Sequence, residues 1–175
     1  MKTSHRMASI EHDIRFAVGA CSLGTLLVAQ SDKGICAILM DDDPNRLILS
    51  LQQRFPRARQ TDDDASKALI AQVARFIQSP STGLDAPLDM HGSDFQQRVW
   101  RALREIPAGA TASYTDIAKS IGAPTAVRAV AQACANSKIA VAVPCHRIVR
   151  SDGSISGYAW GVQRKRALLD REARA

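Results

Sequence analysis

The chain has 175 residues, 46% of them hydrophobic, with a formal net charge of +6. That length buries a real core and suffices for one domain or two small ones. No apolar run approaches the roughly 20 residues of a membrane helix, and the N-terminus MKTSHRMASIEHD carries no apolar leader, so a soluble, cytoplasmic protein is expected. The four cysteines, Cys21, Cys36, Cys134 and Cys145, form no CxxC pair, which argues against a zinc knuckle or a thioredoxin-like site and predicts free thiols. Charge is uneven: residues 1–90 hold 10 Lys/Arg against 11 Asp/Glu, whereas residues 91–175 hold 13 against 6. A basic second half fits a polyanionic partner or a solvated basic surface.

From Ile14 to Met40 three short strands are predicted, with turns at Ser22-Leu23-Gly24 and Asp32-Lys33-Gly34. Asp41-Asp42-Asp43-Pro44 then opens a helix through Leu47, Ile48 and Leu51 towards Phe55-Pro56. Asp62-Asp63-Asp64 precedes a second helix with Leu69, Ile70, Val73, Phe76 and Ile77 at helical spacing. Helix-start charge accounts for these acidic triplets better than metal ligation does. Residues 79–92, SPSTGLDAPLDMHG, read as a linker, dividing the chain into domains 1–90 and 91–175.

Ser93-Asp94-Phe95-Gln96 fits a capping box opening a helix with Val99, Trp100 and Leu103 on one face, stopped at Ile106-Pro107-Ala108-Gly109. Trp100 is expected in the core, and Trp160 is ambiguous. Two short helices, Thr115–Ile121 and Thr125–Ala135, flank Gly122-Ala123-Pro124 and read as a helix-turn-helix. Arg128 lies among small residues, Ala126, Ala129 and Ala133, so the second helix can approach another surface closely. A last helix from Val162 to about Arg174 is expected to turn Leu168 and Leu169 inward and Arg164, Lys165 and Arg166 outward.

The chemistry concentrates in VAVPCHRIVRSDGSISGYAWG, residues 141–161. An apolar run delivers Cys145 to a position ahead of His146, Arg147 and Arg150, where cations can lower a thiol pKa and an imidazole can take its proton. Four readings compete for Cys145-His146. A packed thiol beside an incidental histidine is the plain one. A metal site lacks a second Cys/His cluster nearby. A cysteine hydrolase pairs its thiol with a histidine remote in sequence, since adjacent side chains diverge. The fourth is a thiol attacking a group carried on DNA. The dipeptide alone does not decide among them.

The longer strings carry a resemblance. Pro144-Cys145-His146-Arg147-Ile148-Val149-Arg150, Ser156-Gly157-Tyr158-x-Trp160-Gly161 and Lys165-x-x-Leu168-Leu169-x-x-Glu172 closely resemble the O6-alkylguanine-DNA alkyltransferases. Phe95-Gln96-Gln97-x-Val99-Trp100, Ser113-Tyr114, Val127-Arg128-Ala129-Val130 and the GICAIL of residues 34–39 match as well. The likeness covers most of the chain and is greatest to the C-terminal half of the bacterial adaptive-response members. It implies an N-terminal α/β domain, a small antiparallel sheet with helices of ribonuclease H-like type. A mostly helical C-terminal domain with a winged helix-turn-helix-like motif would follow.

It further implies irreversible transfer of a methyl or alkyl group from guanine O6, and also from thymine O4, to Cys145, once per molecule. His146 would deprotonate the thiol through a water, with Glu172 orienting the imidazole. Tyr114 would donate to base N3, the Ala159 N–H would meet O6, the Cys145 and Ile148 carbonyls would accept from the exocyclic amine, and Tyr158 would wall the pocket. DNA contacts fall to Gln96, Thr115, Ala123, Arg128 and Ser151, with Arg128 filling the space of a flipped base from the minor groove of double-stranded DNA. No cofactor, no metal and a monomer are implied.

Where the family has asparagine eight residues before the cysteine, as a hinge between recognition helix and active-site turn, this chain has Ser137 preceded by Asn136. Either Asn136 substitutes through a shifted turn or the link is weaker. The zinc-binding, DNA-reading half of the adaptive-response members has no counterpart here, so gene regulation is not expected. Family relatives that bind damaged bases without reacting replace the cysteine, and Cys145 argues against that alternative.

Overall fold

The structure is a computed structural model describing residues 13–175; the N-terminal segment read for a leader lies outside the described residues, save Asp13. Among the described residues no helix is long and apolar enough to cross a membrane. Strands β1 (Arg15–Cys21), β2 (Gly24–Gln30) and β3 (Ile35–Asp41) form the expected antiparallel meander. Helix α1 (Pro44–Arg54) begins on Asp43, whose side chain accepts from Asn45 N at 2.9 Å, with Pro44 in its first turn. A two-residue strand β4 (Arg59–Gln60), not anticipated, pairs parallel with β1, giving the sheet order β3-β2-β1-β4. Helix α2 (Asp64–Gln78) starts on Asp63, which accepts from Ser66 N at 2.8 Å, and packs across β1 and β2. Asp43 and Asp63 therefore act as helix caps.

In the second half, α3 (Asp94–Arg104) opens on the predicted Ser93/Gln96 capping box. Strand β5 (Ala112–Ser113) leads into α4 (Tyr114–Ser120), which has its own box between Ser113 and Asp116. Helix α5 (Val127–Asn136) completes the helix-turn-helix, starting two residues later than predicted. After a single 3₁₀ turn, Cys145–Arg147, strand β6 (Ile148–Val149) pairs parallel with β5, and α6 (Val162–Ala173) closes the chain.

The face predictions need two corrections. Lys165, expected outward on α6, is fully buried, and Arg164 folds inward to Leu23 O at 2.8 Å and Trp160 O at 3.1 Å. Lys165 shares its helix face with Leu168 and Glu172, both buried, and finds polar partners there. Ala133, expected beside Arg128 on an open surface, is buried with Val130 and Cys134, and its carbonyl accepts from Trp100 Nε1 at 2.9 Å. Trp100 is a core residue, as anticipated, and Trp160 is buried too.

The two halves share one continuous buried cluster. Their seam is β3, whose free edge would otherwise expose unpaired backbone groups. Linker residues pair at one end: Ile35 N donates to Pro87 O at 2.9 Å and Asp89 N to Ile35 O at 2.8 Å. Gly34 permits this approach, since a Cβ there would lie 2.4 Å from Pro87 O and its φ of +151° disfavours side chains. At the other end Ile38 N donates to Lys138 O at 2.8 Å and Ala140 N to Ile38 O at 3.0 Å. The sheet thus holds the segment that runs into Cys145.

Candidate active site

Between that pairing and Cys145 the backbone turns tightly. Val141 adopts φ +67°, uncommon for a β-branched residue, and Ala142 N closes on Ala140 O at 2.7 Å. Such a conformation costs on the order of 1–3 kcal/mol and persists only when its surroundings dictate it; Val141 is buried and follows directly on the β3 pairing. Pro144 then makes a second tight turn, with Cys145 N donating to Val143 O at 2.8 Å. Cys145 emerges at the start of the 3₁₀ turn, 7% exposed.

The thiol donates to Cys134 O at 3.4 Å. Cys134 alongside it and burial push its pKa well above the ordinary thiol value, while Ser137 and Lys165 pull in the other direction. This corrects one expectation. The neighbouring arginines do not maintain a standing thiolate, because Arg147 is engaged elsewhere and Arg150 is exposed. The thiol rests protonated and needs a base.

His146, beside Cys145 in the chain, is fully buried. Its Nε2 lies 2.7 Å from Glu172 Oε1. A carboxylate accepts, so Nε2 carries the proton and Nδ1 presents a lone pair. Nδ1 is buried with no hydrogen-bond partner among the described residues, as is Tyr158 Oη. Burial draws the His146 pKa down against the opposing pull of Glu172, so the ring is neutral near pH 7. Burial disfavours ionised Glu172, but hydrogen bonds from His146 and Arg147 outweigh it and hold the carboxyl at about 2. Arg147 reaches Glu172 through Nη2 at 2.8 Å and Nε at 3.1 Å, and anchors to Ile106 O through Nη1 at 2.6 Å. Cys145, His146 and Glu172 thus come from the 3₁₀ turn and α6, which pack together.

The domain described as "6-O-methylguanine DNA methyltransferase, ribonuclease-like domain" matches residues 14–90, and the corresponding "DNA binding domain" matches residues 94–174. The Escherichia coli bifunctional transcriptional activator/DNA repair enzyme Ada is 52% identical over 161 residues, which cover 91% of this chain and 46% of Ada. The inducible methylated-DNA–protein-cysteine methyltransferase of Bacillus subtilis is 36% identical over 150 residues, 85% of this chain and 84% of that protein. The crystal structure of Mycobacterium tuberculosis OGT in complex with DNA superposes with a TM-score of 0.77 at 36% identity, covering 91% of this chain and 93% of that one. This chain belongs to the 6-O-methylguanine-DNA methyltransferase family. It spans less than half the length of the Escherichia coli relative.

Within this family member the remaining predicted residues fall into two groups. Of the residues read as lining the base pocket, Tyr114 stands at the start of α4 with its hydroxyl 3.2 Å from Ser156 Oγ. Tyr158 packs edge-on against Trp160 at 5.2 Å, and Ala159 between them is exposed. The Ile148 side chain is core; its N–H donates to the Cys145 carbonyl. On the helix-turn-helix face Arg128 is exposed, and Ser151 is exposed on the loop after β6. Thr115 and Ala123 are half-buried, and the Ala123 N–H is spent on Ala118 O at 2.9 Å. Gln96 is engaged in its capping box through Ser93 N at 3.0 Å. Of the two residues expected at a hinge, Asn136 is exposed with no side-chain hydrogen bond among the described residues, whereas Ser137 is buried and its Oγ accepts from Ile139 N at 3.4 Å.

The sequence reading missed Arg147, Lys165 and Ser156 as site residues. All three lie inside the quoted motifs, and the legible signal was the spacing of Lys165, Leu168 and Glu172 on one face of α6.

Proposed function

We propose that this methyltransferase repairs alkylated DNA directly, moving the alkyl group from guanine O6 to its own Cys145 once per molecule. His146 Nδ1, buried and unpartnered among the described residues, takes the thiol proton through a bridging water. The Sγ–carbon bond forms as the carbon–O6 bond breaks, and the electron pair leaves on the guanine. Tyr114 supplies a proton at N3, the Ala159 N–H supports O6, and the Cys145 and Ile148 carbonyls orient the exocyclic amine. Tyr158 walls the base. An alkyl thioether offers no good leaving group, so the protein is consumed. O4 of thymine presents the same alkyl ether and reacts in the same way.

The base reaches this site only when flipped out of a duplex. Exposed Arg128 fills its place from the minor groove, with Gln96, Thr115, Ala123 and Ser151 contacting the strand. Phosphate contacts dominate and sequence preference is weak. The protein acts as a cytoplasmic monomer of two domains, 1–90 and 91–175, with Asn136 and Ser137 at the hinge between recognition helix and thiol. The observation that carries this reading is the His146–Glu172 pair at 2.7 Å, with a free lone pair on the residue next to a buried thiol.

Intact mass after incubation with excess O6-methylguanine duplex tests it. One added methyl group per chain, mapped to Cys145 and absent from Cys145→Ser, is expected. Several lesions repaired per molecule would overturn the stoichiometric mechanism.

A further inference from the structure

Lys165 is fully buried, yet among the described residues its ammonium touches neither Glu172 nor any other carboxylate. Its Nζ donates to Ser156 Oγ at 3.1 Å and to Gly157 O at 3.4 Å. Ser156 Oγ lies in turn 3.2 Å from Tyr114 Oη. Three polar groups from three parts of the chain therefore line up: α6, the loop after β6, and the first residue of α4. A buried ammonium is costly unless its charge is used or satisfied, and here it is given only neutral acceptors.

We propose that Ser156 is a positioning residue that links the charge of Lys165 to the Tyr114 hydroxyl and sustains proton delivery to the departing guanine. This rests on the reading of Tyr114 as the donor to N3. The direction follows from donor counting. An ammonium only donates, so Ser156 Oγ accepts from Lys165 and can turn its single proton to Tyr114 Oη. Tyr114, accepting there, aims its own proton at the base. As the carbon–O6 bond breaks, N3 takes the Tyr114 proton, Tyr114 takes that of Ser156, and Ser156 takes one from Lys165, which ends neutral. His146 meanwhile holds the proton lost by Cys145, so the site's net charge is unchanged. Burial lowers the Lys165 pKa, with Cys145 and Cys134 pulling the other way, which brings the ammonium nearer to giving up its proton.

Single-turnover alkyl transfer at saturating protein, on two duplexes, tests the relay: one carrying O6-methylguanine, the other O6-methyl-3-deazaguanine, which has no N3. Ser156→Ala should slow the first by about tenfold or more, a modest share of a general-acid contribution, and change the second by less than about twofold. Tyr114→Phe should show the same selectivity, and Tyr114→Phe with Ser156→Ala should be no slower than Tyr114→Phe alone. A merely structural serine would slow both substrates alike, and that result overturns the relay. So does selectivity in Tyr114→Phe without selectivity in Ser156→Ala. If Tyr114→Phe itself treats both duplexes equally, the donor role of Tyr114 falls and the relay with it. The removal of one hydroxyl at Ser156 keeps the test independent of Lys165, whose replacement threatens folding.

Discussion

Glu172 is 1% exposed at its side chain and accepts from both His146 and Arg147. Glu172→Gln keeps the shape and removes the charge. Arg147 is then buried without a counter-ion, which costs about 3 kcal/mol or more, a drop in melting temperature of about 6–12 °C. Transfer slows by about 100-fold or more, because an amide no longer dictates which ring nitrogen of His146 is protonated. Acid titration reports the same network. The His146 pKa is lowered in the fold, so the unfolded chain binds that proton first, and stability is lost as pH falls below about 6.5. The Glu172 pKa is held at about 2; its contribution is complete above about 4.3 and is lost as pH falls from there towards the folded value. Urea unfolding against pH should show both losses, and His146→Gln should abolish the first. Ser137 lines a cleft of about 390 Å³, which gives a longer side chain room. Ser137→Asn adds a donor and an acceptor at a buried hinge, each bond contributing about 0.5–1.5 kcal/mol. Melting temperature and single-turnover rate should both rise, while Asn136→Ala, at an exposed position, changes neither.

At the scale of elements, α5 has two faces with different work. Val130, Ala133 and Cys134 bury against the core and bring Cys134 O to the thiol, while Arg128, Ala129 and Gln132 face out. Arg128→Ala should therefore slow repair of O6-methylguanine in duplex far more than reaction with free O6-benzylguanine, which needs no flipping; equal loss on both would rule out an intercalating role. The caps on α1, α2 and α3 were legible because Asp43, Asp63 and Ser93 stand just before apolar periodicity. The box of α4 is written as plainly in Ser113 and Asp116, but seven residues give too short a period to prompt the search. Strands β4, β5 and β6 have two residues each, too few for any alternation, and exist because partners elsewhere in the chain offer free backbone groups. Lys165 was turned the wrong way because a lysine within a basic run reads as solvated. Its burial is made tolerable by acceptors on the preceding loop, Ser156 Oγ and Gly157 O, which no helical pattern announces. Cys145, His146 and Glu172 were readable as motif residues; the arginine clamp on Glu172 and the unpaired ring nitrogen were not, since both are products of tertiary packing.

The whole molecule separates charge from packing. Its second half carries the basic excess, so DNA binding should weaken steeply as salt rises. Its stability, by contrast, rests on a core that runs through both halves, with linker residues Leu84, Ala86, Leu88 and Met90 packed against it. Beyond the β3 pairing, Arg164 on α6 donates to Leu23 O at 2.8 Å and Asp42 Oδ1 at 2.7 Å, so the last helix is tied to the first sheet at a second place. Neither half can open without exposing apolar surface of the other and unpairing Ile38. The chain should accordingly unfold in one cooperative step. Tryptophan fluorescence, which reports only Trp100 and Trp160 in the second half, and far-UV circular dichroism, which reports helices and strands of both, should give coincident melting curves. Ala140→Pro removes the N–H that donates to Ile38 O and should lower that single midpoint by several degrees, a loss of about 3 kcal/mol. It should also slow alkyl transfer, because the strained turn at Val141 that presents Cys145 begins at the same residue. Two separate transitions, or an Ala140→Pro variant that melts early only by fluorescence, would mean that the sheet and the reactive turn are independent, and the β3 seam would lose its role in placing the thiol.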